Sequence, residues 1–86
     1  MQKVEIYTQP GCPYCVRAVQ ILSSKDVSFS EINAPHGTQE REDAIRRSGG
    51  GRTVPQIFID DRCVGGCTDL MQLDSSGELD RILGKK

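Results

Sequence analysis

"QPGCPYCVRA", residues 9–18, sets two cysteines three positions apart behind a glycine, with a proline and a tyrosine between them. Its flanks differ in period. On the N-terminal side, residues 3–8 (KVEIYT) set Val4, Ile6 and Thr8 against Glu5 and Tyr7, the two-residue alternation of a strand. On the C-terminal side Cys15, Ala18, Val19 and Leu22 recur at three and four, one face of an amphipathic helix over residues 13–25. Pro13 suits the first turn of that helix, where the N–H it lacks would have had no acceptor. Cys12 and Cys15 therefore stand at a strand-to-helix seam.

Residues 27–32 (VSFSEI) alternate again, and complete a βαβ unit whose crossover is right-handed. Residues 38–48 (TQEREDAIRRS) carry acids early and arginines late, which suits a helix dipole, and stop at three glycines. Only Ala44 and Ile45 offer this segment contact with a core, so it reads as a solvated covering helix. Residues 53–60 (TVPQIFID) and 62–66 (RCVGG) form a hairpin about Asp60 and Asp61, without the glycine usual in two-residue loops, which leaves the turn type open. Leu70, Leu73, Leu79, Ile82 and Leu83 then supply two short helices interrupted at Gly77. The expected order is βαβαββα plus a short C-terminal helical turn, an α/β chain forming a single domain over residues 1–86.

Size and charge narrow the function. A chain of 86 residues with 36% apolar content and no tryptophan builds one modest core. With 11 basic and 12 acidic residues there is no basic surface for a phosphate backbone, so nucleic acid is not an expected partner. No segment has the length and apolarity of a membrane span, and the opening "MQKVEIYT" lacks the pattern of a secretory signal. The expected compartment is the cytoplasm, where a close cysteine pair is more often catalytic or metal-binding than structural.

A three-residue helical step brings Cα atoms to about 5 Å, within reach of a disulfide. Cys12 falls where unpaired helical amides and the positive end of the dipole favour a thiolate; Cys15, one turn in, lacks that help. A more acidic thiol gains little as an attacker, because nucleophilicity falls with a slope of ~0.4–0.5, but it departs faster from a mixed disulfide. The pair suits exchange. The competing zinc arrangement would recruit Cys63, Cys67 and the lone His36, yet Pro13 and Tyr14 start a helix rather than a metal knuckle. A structural disulfide is the third alternative.

"CPYC" after the first strand, "TVPQIFI" before the hairpin and "GGCTDL" at the third helix together resemble the dithiol glutaredoxins, especially the short bacterial ones, nearly end to end. The resemblance implies a thioredoxin fold, a four-stranded mixed sheet flanked by helices, with Cys12 as nucleophile and Cys15 as resolving thiol. It implies reduction of glutathione mixed disulfides through Cys12 alone, and of protein disulfides through both cysteines. Glutathione enters as co-substrate, with no tightly bound cofactor and no metal, and the other partners are glutathionylated or disulfide-containing proteins. The chain is expected to act as a monomer.

The glutathione contacts implied are Tyr14, Thr53, Val54, a cis Pro55, Gly66, Cys67, Thr68 and Asp69. Val54 would pair its backbone with the tripeptide like an added strand. The amides of Cys67 and Thr68 would hold a carboxylate at a helix start, and Asp69 an amino group. Cys67 is otherwise a spectator thiol, open to modification if exposed, and Cys63 is assigned to strand packing. Three positions depart from the family pattern: Gln9 where many relatives have lysine, Gly51 where they have Gln or Arg, and Thr68 in place of an aspartate. A lost charged hydrogen bond is worth about 1.5–3 kcal/mol, so binding weakens unless Arg52 substitutes. Two rivals share the sequence: a redoxin reduced by a thioredoxin reductase, and a non-catalytic iron-sulfur or metal carrier.

Overall fold

The computed structural model describes residues 3–84; Met1, Gln2, Lys85 and Lys86, the ends of the expected 1–86 domain, lie outside the described residues. One sheet contains β1 (Val4–Thr8), β2 (Ser30–Asn33), β3 (Gln56–Ile59) and β4 (Arg62–Gly65), in the order β2-β1-β3-β4. The parallel pair β1 and β2 is joined through α1 (Pro13–Ser24), while β3 runs antiparallel to both β1 and β4. The remaining helices are α2 (Gln39–Arg47), α3 (Cys67–Ser75) and α4 (Glu78–Ile82). The element order is the expected one, including the break at Gly77, whose φ of +80 separates α3 from α4. No helix among the described residues is long and apolar enough to cross a membrane.

Alternate residues of the central strands feed two cores. Val4 and Ile6 of β1 and Ile57 and Ile59 of β3 pack with Ala18 and Leu22 of α1, Leu70 of α3, and Leu79 and Leu83. Tyr7 and Phe58 point to the opposite face and meet Ala34 and Ala44, with their rings edge to face at 5.6 Å. That second core is thin, and Arg47 closes it. Its guanidinium lies 4.2 Å from the Phe58 ring centroid, donates to Tyr7 Oη at 2.9 Å and pairs with Glu5 at 2.9 Å. A planar, weakly hydrated cation can stack and hydrogen-bond at once, which an ammonium does less well.

Several expectations need correction. The second strand begins at Ser30 rather than residue 27, because its parallel register with β1 opens at the Glu5–Ser30 pair; Val27 and Phe29 still pack half-buried against the first core. The third begins at Gln56 rather than Thr53, since Pro55 has no N–H for a ladder. The hairpin turn is of the primed kind: Asp60 and Asp61 have φ of +52 and +66, a region that aspartate tolerates better than most residues. Lys3 donates its backbone N–H to the Asp60 carboxylate at 2.8 Å and steadies that turn. The helix α2 is not merely solvated, because Arg41 is buried beside Ala44 while Ile45 is only half-buried.

Arg47→Ala is expected to lower unfolding free energy by about 1–3 kcal/mol in urea, as the Tyr7 hydroxyl and the ring stack lose their partner. The same change at Arg46, whose side chain is 71% exposed beside Asp43, should leave the midpoint unmoved.

Candidate active site

Beyond Thr8 the chain leaves β1 through Gln9, Pro10 and Gly11, the last at φ +72, and reaches Cys12 as the N-cap of α1. The Cys12 sulfur accepts the backbone N–H of Cys15 at 3.1 Å, the place an N-cap oxygen normally fills. An otherwise unpaired helical amide and the positive end of the helix thus converge on one half-exposed sulfur. Cys12 Sγ also donates to the Val54 carbonyl at 3.8 Å, which brings the cis-proline loop to the same atom. Cys15 is different. It is buried, and burial first, then its contact with Cys12, push its thiol up to about 12, with the Glu31 carboxylate adding to the shift. Of the two sulfurs, one is presented and the other held in reserve as a thiol.

Tyr14, Thr53, Val54, Pro55, Gly66, Cys67, Thr68 and Asp69 line a single cavity of about 340 Å³ on the β3 side of Cys12. The Val54–Pro55 bond is cis. Gly66 caps α3 and donates its N–H to the Asp69 carboxylate at 3.1 Å, so Asp69 is anchored at the helix start. Cys67 and Thr68 open that helix, where amides have no intrahelical acceptor. Gly65 makes this possible: its φ is +114, and a Cβ there would collide with the Asp69 carboxylate. A second cavity, of about 500 Å³, lies on the β2 side and reaches Cys12 and Cys15 past Gln9, Val16 and Glu31.

Of the other two cysteines, Cys63 falls differently from expectation. Cys63 is exposed on β4 rather than packed, with its sulfur 3.9 Å from Gln56 Oε1, because its strand lies at the sheet edge. Cys67 is buried, and that burial raises its thiol, so it is not open to modification. His36 is exposed in the loop before α2. Among the described residues no group of three or more histidine, cysteine or acidic side chains comes together, so the Cys63, Cys67 and His36 zinc arrangement is not assembled.

The three departures also have structural settings. Gln9 Oε1 accepts from Arg41 at 2.8 Å. A Cβ on Gly51 would stand 2.8 Å from both Ser48 Oγ and Gln56 Nε2, so a longer side chain there must displace them. Thr68 is exposed at the groove. Arg52 is exposed and lines a different cavity, with His36 and Glu42, rather than the groove beside Val54.

Three contributors were missed in the sequence. Gln56 is buried and donates to the Thr53 carbonyl at 3.0 Å, bracing the loop ahead of Pro55. Glu31 accepts from Thr8 Oγ1 at 3.0 Å, close enough to act on Cys15. Arg41 lies three residues before Ala44, on the same helical face, and that spacing was its only signal.

A raised pKa means that the folded protein holds the Cys15 proton beyond the pH at which the unfolded chain, with an ordinary value of 9.0, releases it. The stabilisation is fully present below about pH 9 and is lost as pH rises toward about 12. Urea midpoints from about pH 8 to 11 should therefore fall with pH, and fall less in Cys15→Ala; equal slopes would contradict the assignment.

Comparison with known proteins agrees with this geometry. The glutaredoxin family model matches residues 4–64. The chain is 54% identical over 83 residues to glutaredoxin 3 of Escherichia coli K12, covering 96% of this chain and 99% of that one. It resembles the solved glutaredoxin of Brucella melitensis at 48% identity with a TM-score of 0.80, over 98% of this chain and 92% of that one. The dithiolic glutaredoxin of Trypanosoma brucei brucei matches at 34% identity and a TM-score of 0.82, over 95% and 87% of the two chains. This chain belongs to the glutaredoxin family, thiol-disulfide oxidoreductases of the thioredoxin fold that work with glutathione.

Proposed function

We propose that Cys12 is the nucleophile of a cytoplasmic, monomeric, single-domain enzyme that removes glutathione from mixed disulfides. The observation that carries this is the placement of the Cys12 sulfur, which accepts a helix-start amide at 3.1 Å and faces the Val54 carbonyl at the edge of the 340 Å³ groove. The tripeptide would lie in that groove with its cysteinyl N–H donating to Val54, its γ-glutamyl carboxylate at the amides of Cys67 and Thr68, and its amino group at Asp69. Tyr14, 65% exposed, would cover one flank.

The Cys12 thiolate attacks the glutathione sulfur of the mixed disulfide. A bond forms between these two sulfurs, the substrate's S–S bond breaks, and the substrate thiolate leaves with the electron pair and takes up a proton. A second glutathione thiolate then attacks the glutathionyl sulfur, releasing Cys12 as thiolate and forming oxidised glutathione. With a protein disulfide, Cys12 is joined instead to the substrate's cysteine. Cys15 loses its proton to solvent, attacks Cys12 and expels the substrate thiolate, leaving a Cys12–Cys15 disulfide that two glutathiones reduce. Because Cys15 is buried and holds its proton to about 12, it stays out of the first step.

Cys12→Ser should reduce both activities to background. Cys15→Ser should keep removal of glutathione from a glutathionylated peptide but lose reduction of a protein disulfide. Equal inactivation of the first reaction by both changes would sink the single-cysteine step. Replacing glutathione with a thioredoxin reductase should give no turnover, and freshly purified protein should show no visible absorbance; the opposite results support the redoxin and the metal-carrier alternatives respectively.

A further inference from the structure

Arg41 is a buried cation close to the dithiol that takes no part in the proposed chemistry. It is 5% exposed on an otherwise polar helix. Four of its five N–H groups donate to oxygens: Nη1 donates to Gln9 Oε1 at 2.8 Å and the Ala34 carbonyl at 2.9 Å, and Nε and Nη2 donate to the Arg52 carbonyl at 3.3 and 3.0 Å. Nη2 also lies 3.4 Å from His36 Nε2, a contact that is a hydrogen bond in the tautomer that leaves this nitrogen unprotonated.

These acceptors sit on separate segments at one end of the sheet. Gln9 follows β1 and Ala34 follows β2, while Arg52 precedes the antiparallel β3. The β1–β3 register ends at Tyr7 and Gln56, short of both Cys12 and Val54. Past that point the loops face one another through the Cys12 thiol and the Val54 carbonyl, and that bond vanishes once the thiol ionises or joins glutathione. During turnover the side chain of Arg41 remains as a tie between the two loops.

We propose that Arg41 is a positioning residue that fastens the Cys12 loop to the loop ahead of Val54 and thereby holds the Val54 backbone in place beside Cys12 for glutathione. The inference rests on the groove being the glutathione site. The clamp does not touch the Cys12–Cys15 cap, which lies wholly within the start of α1. Loss of the clamp therefore weakens substrate binding and spares the chemical step. A role confined to global stability would act the other way, lowering apparent kcat with the folded fraction at constant KM.

Two readouts test this on the full chain, in Arg41→Met, Arg41→Lys and Gln9→Leu. Amide hydrogen exchange in Arg41→Met should accelerate at residues 9–12 and 51–54 while the β1 and β3 amides keep their protection. With a glutathionylated peptide, KM should rise about tenfold in Arg41→Met with kcat within about twofold of the parent, and Arg41→Lys should recover part of the loss. Gln9→Leu should raise KM on its own and add little to Arg41→Lys, because both cut the same link. If Arg41→Met does not fold, the Arg41→Lys and Gln9→Leu pair decides, and additive effects overturn the clamp. Unchanged loop exchange, or a fall in kcat at fixed KM, also overturns it. Local loosening without a change in KM overturns the binding role, whereas absence of turnover in the parent chain refutes the glutathione site and leaves the exchange data to judge the clamp.

Discussion

The backbone N–H of Cys15 reaches the Cys12 sulfur across 3.1 Å, and the rest of the site is arranged around that contact. A helix start has amides with no acceptor and a positive dipole end, and a sulfur placed there as the cap satisfies the one and is polarised by the other. Pro13 follows directly at the first helical position, where its missing N–H forfeits no helical hydrogen bond and its fixed φ presets the turn behind the cap. The same geometry divides labour between the cysteines. Cys12 gains a donor and an open side, and Cys15 gains burial that keeps its proton in place.

The second half of the site reaches the same end of the sheet from a distant part of the chain. Because β3 runs antiparallel to β1, the segment before β3 arrives at the edge where β1 ends, and Val54 meets Cys12 there. The start of α3 arrives beside them after the β3–β4 hairpin, with Asp69 folded back onto Gly66. A groove with a backbone edge on one wall and a helix start on the other has the donors and acceptors for an extended peptide carrying a carboxylate, which is the basis of the glutathione site we propose. Two of the three departures from the family pattern are tied into the frame: Gln9 spends its carbonyl on Arg41, and Gly51 sits where a side chain would strike Ser48 and Gln56.

Much of this was legible in the chain. The period change across residues 9–18 located the seam, the alternation of Val4 and Ile6 against Tyr7 anticipated a strand with two unlike faces, and Gly77 marked the last helix break. Resemblance then grouped residues from three distant segments that the structure brings to one cavity. The failures share a cause. Arg41 and Glu31 act through side-chain hydrogen bonds to partners far along the chain, and Gln56 through one to a loop carbonyl three residues back, whereas periodicity reports only which face a residue occupies. An arginine on a buried stripe reads as a solvated charge until its acceptors are known. Cys63 erred in the opposite sense, because an apolar residue type in a strand pattern says nothing of whether that strand is an edge.

The account stands on the sulfur of Cys12 acting as the cap of α1. Its most direct measurement is the amide proton of Cys15, followed by NMR exchange and chemical shift in the reduced parent and in Cys12→Ala. A hydrogen bond to sulfur predicts a protected amide that exchanges about tenfold faster and shifts upfield once the sulfur is gone, with the amides deeper in α1 little changed. An amide that exchanges equally fast in both proteins would contradict it.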